Sequence, residues 1–260
     1  GRTLGCLGAT GLPGFRDASW PIRDEDHGFL PFGDDAALQA IDESVACVLL
    51  EPVPSMGGIR TAPDAWFGKL RARCDAVGAL LVYDEVQTGF GRTGTPFFGD
   101  GVGVWPDLIT GAKGAAGGVP AGVVFVRDEI AATIHAGDQG STFGGGPLAC
   151  AALDVVARTL LADDLPGRAA RLGAWWREQL LEVPGVVDVV GKGLLMGVDL
   201  DRPAKPVVTA LRELGLLVGG SKQPHQLRLL PPLVLTRVEA ERFTHALREL
   251  LDTAIAEIAT

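Results

Sequence analysis

Two short apolar runs, each stopping at carboxylates, constrain this chain more than any other feature. Val45-Ala-Cys-Val-Leu-Leu50 ends in Glu51-Pro52, and Gly78-Ala-Leu-Leu-Val-Tyr83 ends in Asp84-Glu85. Apolar runs of this length without polar alternation read as strands buried on both faces. Leu108-Ile-Thr110 and Ala121-Gly-Val-Val-Phe-Val126 add a third and a fourth. Between the first two, a helical pattern from Asp64 buries Trp66, Leu70 and Cys74 and stops near Gly78. Strands alternating with helices predict an α/β fold whose mostly parallel sheet is flanked by helices. Before them, residues 1–33 read as loop, broken by Pro13, Pro21 and Pro31, and Asp34-Asp35 is expected to cap a helix through about Ser44.

The pattern changes from about Gly146. Apolar spacings of three and four predict helices over 147–162 and 166–181, then strands over 186–190 and 194–200. A helix over 204–214, an alternating strand over 226–230 and an amphipathic helix from Arg237 complete the chain. The expectation is a large domain of residues 1–160 followed by a smaller carboxyl-terminal α+β domain of residues 161–260.

Charge narrows the partners. With a net charge of -9 over 260 residues, the chain would be repelled by nucleic acid and by anionic membranes. Cys6, Cys47, Cys74 and Cys150 form no CxxC pair, so neither a zinc site nor a disulfide framework is expected, and the cytoplasm is the expected compartment. No apolar stretch approaches the ~18 residues of a membrane helix. The start at Gly1-Arg2-Thr3 resembles the middle of a longer chain.

In a parallel sheet, ligands collect at the carboxyl ends of the strands. Glu51 and Asp84 stand there, and Lys113 follows the third strand by three residues. Taken singly, Asp84 reads better as a turn cap and Lys113 as a solvated loop lysine. The glycine-rich frame Thr110-Gly-Ala-Lys-Gly-Ala-Ala-Gly-Gly118 favours a ligand site, since glycines let backbone approach a flat ligand closely. A lysine held there in an apolar pocket would have a lowered pKa suited to Schiff-base chemistry. Gly89-Phe-Gly91-Arg-Thr-Gly94 matches the dinucleotide fingerprint, with Asp107 as a tempting acid. That fingerprint requires a glycine turn leaving a strand directly and opening a helix. Here four residues intervene after Asp84, and Thr95-Pro-Phe-Phe-Gly-Asp-Gly101 reads as non-helical, so a nicotinamide site is disfavoured.

Three segments carry a family resemblance. Leu81-Val-Tyr-Asp-Glu-Val-Gln-Thr-Gly-Phe-Gly-Arg-Thr-Gly94, Pro106-Asp-Leu-Ile-Thr-Gly-Ala-Lys-Gly114 and Gly140-Ser-Thr-Phe-Gly-Gly-Gly-Pro147 resemble the signature of class III aminotransferases. Glu51-Pro-Val and Leu227-Arg-Leu-Leu-Pro-Pro-Leu233 fall in the family's order too. The resemblance implies fold type I and pyridoxal 5'-phosphate as cofactor. It implies that Lys113 holds the cofactor and moves the proton between substrate carbon and cofactor, and that Asp84 keeps the pyridine nitrogen protonated. It further implies that Val86 packs on the ring and Gln87 hydrogen-bonds its hydroxyl, with Glu85 in the same cofactor-binding set. Thr142 would reach the cofactor phosphate of a neighbouring subunit, which makes a homodimer part of the site. Ser141 would lie beside the substrate. Arg2 and Arg228 would bind substrate carboxylates, a task suited to a planar bidentate cation.

The chain also departs from the family. The phosphate loop and the aromatic that stacks on the ring lie upstream in the family, so an amino-terminal portion is expected to be missing. Met56 replaces a glutamate that in many members pairs with the arginine at 228, so that arginine either lacks a carboxylate gate or takes one from elsewhere. Gly146 replaces an asparagine and is expected to lose a local hydrogen bond. Gly191-Lys-Gly-Leu-Leu-Met-Gly197, residues 214–218 and residues 227–233 are most similar to acetylornithine and succinylornithine aminotransferases. The implied reaction moves the terminal amine of an N-acylated ornithine to 2-oxoglutarate. Transamination of 4-aminobutyrate, ornithine or another ω-amino acid is the alternative, and a non-catalytic fragment or inactive protomer the second.

Overall fold

The computed structural model describes residues 7, 8, 10, 28–138 and 140–258, with side chains to residue 252. Arg2 lies outside the described residues. The chain forms two compact units, one of Gly1–Val48 and Ala62–Leu80, the other of Leu49–Thr61 and Leu81–Thr260. No helix among the described residues is long and apolar enough to cross a membrane.

In the first unit a five-residue 3-10 helix, Ala36–Ala40, stands where a longer helix to Ser44 was expected. It ends early because Asp42 turns on itself, accepting both the backbone N–H and the hydroxyl of Ser44. Strand β1 is Cys47–Leu50 and helix α1 is Asp64–Val77. Helix α1 buries Trp66, Phe67, Leu70 and Cys74 on one face, and Gly78 stops it in the left-handed conformation. Phe32 packs against Trp66 and Phe67, and Arg73 donates to the carbonyl of Ile41.

Strand β2 is Leu80–Asp84, helix α2 Phe98–Val102, strand β3 Leu108–Gly111 and strand β4 Val123–Val126. The strands run in the order β1-β2-β3-β4. Strands β2 and β3 are parallel, with Val82 opposite Leu108 and Asp84 opposite Thr110. Strand β4 departs from the expected direction and pairs antiparallel with β3. Strand β1 alternates exposed and half-buried residues rather than being buried throughout. Helix α2 corrects the non-helical reading of residues 95–101. Asp100 in its first turn accepts the Phe97 N–H, and that cap offsets the poor propensity of Gly99 and Gly101.

Helices α3 (Asp128–Ala131), α4 (Pro147–Ala162) and α5 (Leu165–Leu181) lead to a second sheet. It comprises β5 (Val186–Lys192), β6 (Leu195–Leu200), then past helix α6 (Ala204–Glu213) β7 (Gly219–Gly220) and β8 (Gln226–Leu229), ordered β5-β6-β8-β7 and antiparallel throughout. Helix α7, Arg237–Ile258, closes the chain. Trp176 and Leu180 of α5, Leu211 of α6, and Phe243 and Leu247 of α7 bury against Val189, Val198 and Leu227 of this sheet. Each such side chain contributes roughly 1.5–3 kcal/mol of burial. Trp176 also satisfies its indole N–H on the Thr244 hydroxyl at 2.9 Å.

Candidate active site

Every candidate residue described below belongs to the second unit. The parallel register puts Asp84 level with Thr110, and the Glu85 N–H donates to the Thr110 carbonyl at 2.9 Å. The turn that follows β3 therefore leaves from the same end as Asp84 and carries Lys113. The Asp84 carboxylate is oriented by the Val86 N–H, 3.1 Å from Oδ1. Glu51 is the third ionisable group at this end. Burial pushes its carboxyl above the usual range, against a hydrogen bond from the Ser55 N–H at 3.2 Å. The Asp84 charge pushes the same way and the Lys113 charge opposes it, so Glu51 senses both.

Lys113 corrects one expectation. Its side chain is exposed, and the described residues of this chain do not by themselves enclose it in an apolar pocket. Its backbone sits at φ 53°, a left-handed conformation rare outside glycine, and it opens a 3-10 turn, Lys113–Ala116.

Val86 is half-buried. Gln87 Oε1 accepts from the Ser55 hydroxyl at 3.1 Å and faces Arg228 Nη1 at 3.4 Å. Arg228, on β8, also donates from Nη1 to the Ser55 hydroxyl at 3.1 Å and from Nε to the Gly220 carbonyl at 3.1 Å. The structure thus joins Gln87 and Arg228, which lie 141 residues apart, through a serine that the sequence did not single out. Ser141 and Thr142 lie in an exposed turn before α4, where Gly144 N–H donates to the Ser141 carbonyl. Gly146 takes the N-cap position of α4 without a side-chain hydrogen bond, as its missing side chain dictates.

Glu85 turns away from this group. Its Oε2 accepts the Phe98 N–H at 2.8 Å and the Thr88 hydroxyl at 3.1 Å, and its buried Oε1 makes no hydrogen bond. Burial pushes the carboxyl up to about 7 from an ordinary 4.5, although the Phe98 N–H, the Thr88 hydroxyl and the Gly99 N–H oppose the shift. A raised carboxyl binds its proton more tightly in the folded chain than in the unfolded one. Its contribution is therefore fully present below about pH 4.5 and is lost as pH rises through about 7. Glu85→Gln keeps an acceptor oxygen and cannot ionise. We expect the fall in unfolding free energy between pH 5 and pH 8 to shrink by up to about 3 kcal/mol in urea titrations. Parallel pH profiles for variant and parent would contradict this.

The dinucleotide decoy resolves physically. Residues 86–93 form consecutive turns and residues 94–97 bends, rather than a helix start. Asp107 is occupied within the sheet, accepting the Leu81 N–H at 2.7 Å and pairing with Arg127 at 3.3 Å. Arg92, inside the glycine motif, donates from Nη1 to the carbonyls of Leu194 at 3.1 Å and Pro231 at 2.5 Å. Burial lowers its pKa to about 10, and its role is to tie the glycine loop to the second sheet.

Similarity to known proteins agrees with this geometry. The profile of the class-III aminotransferase family matches residues 26–251. The acetylornithine aminotransferase of Methanosarcina acetivorans is 39% identical over 252 residues, covering 96% of this chain and 63% of that protein. Its counterpart in Methanopyrus kandleri is 43% identical over 257 residues, covering 97% of this chain and 64% of that protein. The chain thus spans about 63% of the length of such a relative. Among solved structures, the ornithine aminotransferase of Toxoplasma gondii ME49 superposes with a TM-score of 0.90 at 29% identity, over 99% of this chain and 63% of that one. The fold is that of fold type I transferases, with the flanking helices expected from the sequence and a sheet that is mixed through the reversal of β4. Matched over most of its length by profile, sequence and structure, the chain belongs to the class-III aminotransferase family.

Proposed function

We propose that this chain carries the strand-end portion of an aminotransferase site that uses pyridoxal 5'-phosphate. Its reaction moves the terminal amine of N-acetylornithine or N-succinylornithine to 2-oxoglutarate, giving a semialdehyde and glutamate. The observation that carries the reading is the gathering of Asp84 and Lys113 at one end of β2 and β3, both sensed by Glu51. This donor set fits the cofactor: a carboxylate for a protonated ring nitrogen and a primary amine for a carbonyl carbon. When bound, pyridoxal phosphate supplies an electron-accepting ring that stabilises negative charge beside the amine.

Asp84, oriented by the Val86 N–H, holds the proton at the ring nitrogen. Lys113 anchors the cofactor and then carries a proton from the amine-bearing carbon of the donor. Val86 supplies an apolar surface for the ring, while Gln87 and Thr142 hydrogen-bond its oxygen and phosphate. Glu85 supports the cofactor-binding turn through Phe98 and Thr88. Arg228 binds a substrate carboxylate, Arg2 a second one, and Ser141 lines the substrate. The division into a cofactor domain to residue 160 and a small domain beyond it belongs to the same reading.

A homodimer sharing Thr142 across subunits is supported by the exposed apolar residues Phe143, Leu148, Val155 and Leu161 on and before α4. The unbridged thiols of Cys47 and Cys150 suit a reducing cytoplasm.

Borohydride reduction of the cofactor-loaded protein, followed by peptide mapping, is expected to leave a pyridoxyl group on the peptide containing Lys113. N-acetylornithine is expected to be the best amine in a panel with succinylornithine, ornithine and 4-aminobutyrate. A stable adduct on another lysine alone would remove the site assignment. A clear preference for 4-aminobutyrate or ornithine would move the substrate assignment within the family.

A further inference from the structure

Ser55 is fully buried, yet neither cofactor nor substrate accounts for it. Its hydroxyl donates to Gln87 Oε1 and accepts from Arg228 Nη1, each at 3.1 Å. A guanidinium only donates, so the amide atom of Gln87 facing Arg228 has to be its carbonyl oxygen. The amide NH2 is thereby left to donate elsewhere. The loop that presents Ser55 is fastened, just after that residue, to the β7–β8 segment of the second sheet. Lys222 N–H donates to the Met56 carbonyl at 3.1 Å, and Gln226 Nε2 donates to the Gly58 carbonyl at 2.9 Å.

Resting on the function proposed above, we infer that Ser55 is a positioning residue that couples the two ends of the site through one hydroxyl. On one side it holds the Arg228 guanidinium, together with the Gly220 carbonyl, ready for a dicarboxylate substrate. On the other it fixes the Gln87 amide so that its NH2 serves the oxygen on the cofactor ring. A carboxylate that takes over Nη1 removes a donor from both Ser55 and Gln87. Occupancy at Arg228 is then felt at the ring.

The test uses the cofactor-loaded full chain and glutarate, a dicarboxylate with no keto group to react. Calorimetry of Ser55→Ala is expected to show glutarate binding weakened roughly three- to tenfold, the scale of one net hydrogen bond. The KM for 2-oxoglutarate should rise by the same factor, while the KM for the amino donor stays unchanged, a split that general destabilisation would not produce. Glutarate should shift the pH midpoint of the bound cofactor's visible absorbance in the parent, and that shift should largely disappear in Ser55→Ala. A parent that shows no glutarate shift, or a variant that matches it in glutarate affinity, KM values and absorbance shift, overturns the inference and leaves the proposed function standing. A parent that takes up no pyridoxal phosphate overturns both.

Discussion

Lys113→Ala is expected to lower turnover roughly a thousandfold or more, since no other amine in the proposed set anchors the cofactor and moves the proton. Its stability should barely change, because the side chain is exposed and truncating it leaves no cavity. A second substitution separates chemistry from strain. Lys113 holds φ 53°, so Lys113→Gly should be equally inactive yet gain about 1 kcal/mol by relieving the left-handed backbone. Added methylamine should restore part of the activity in both variants. Steady-state assays and urea unfolding measure the two effects. An alanine variant within tenfold of the parent would end the assignment of Lys113.

Gly173→Ala should produce the largest loss of stability, against the usual sign for such a change. In a helix interior, glycine to alanine ordinarily gains about 1 kcal/mol. Gly173 is inside α5, and a Cβ built there lies 2.2 Å from the carbonyl oxygen of Gly193 in the β5–β6 turn. That oxygen cannot move freely. Gly193 itself holds φ 56°, and a Cβ on it would meet the Arg92 carbonyl at 2.5 Å. An alanine at 173 must therefore lift α5 from the turn and loosen the packing of Trp176 and Leu180. The expected cost is about 3 kcal/mol, read as a lower urea midpoint at unchanged slope. A neutral or stabilised variant would show that the close approach does not exist.

The sequence yields some parts of this architecture more readily than others. Helix α4 spans residues 147–162 as its periodicity predicts, because a proline at its first position and a long apolar stripe are local signals. The strands were legible as elements, but the reversal of β4 was not, since an apolar run carries no direction. Leu49 is 53% exposed within a run that reads as buried, because residue type reports what may be covered and not what covers it. That Asp84 and Lys113 share one end of β2 and β3 was legible through strand ends and glycine context. Ser55 was not, because its partners lie 32 and 173 residues away and only folding brings them together. Arg92 was hidden by the glycine motif that contains it.

Asp107 has a consequence for how such a site can change. It stands at the end of β2 and β3 opposite the chemistry, where its carboxylate and its own N–H clasp both backbone groups of Leu81. A slip of one residue between these strands would turn Asp84 to the other face of the sheet. Pinning the alignment from the far end frees the mouth from that duty, so residues around the amine can be exchanged without unzipping the pair. Substrate preference in this scaffold is thereby open to gradual drift while the geometry of the acid and the lysine stays locked.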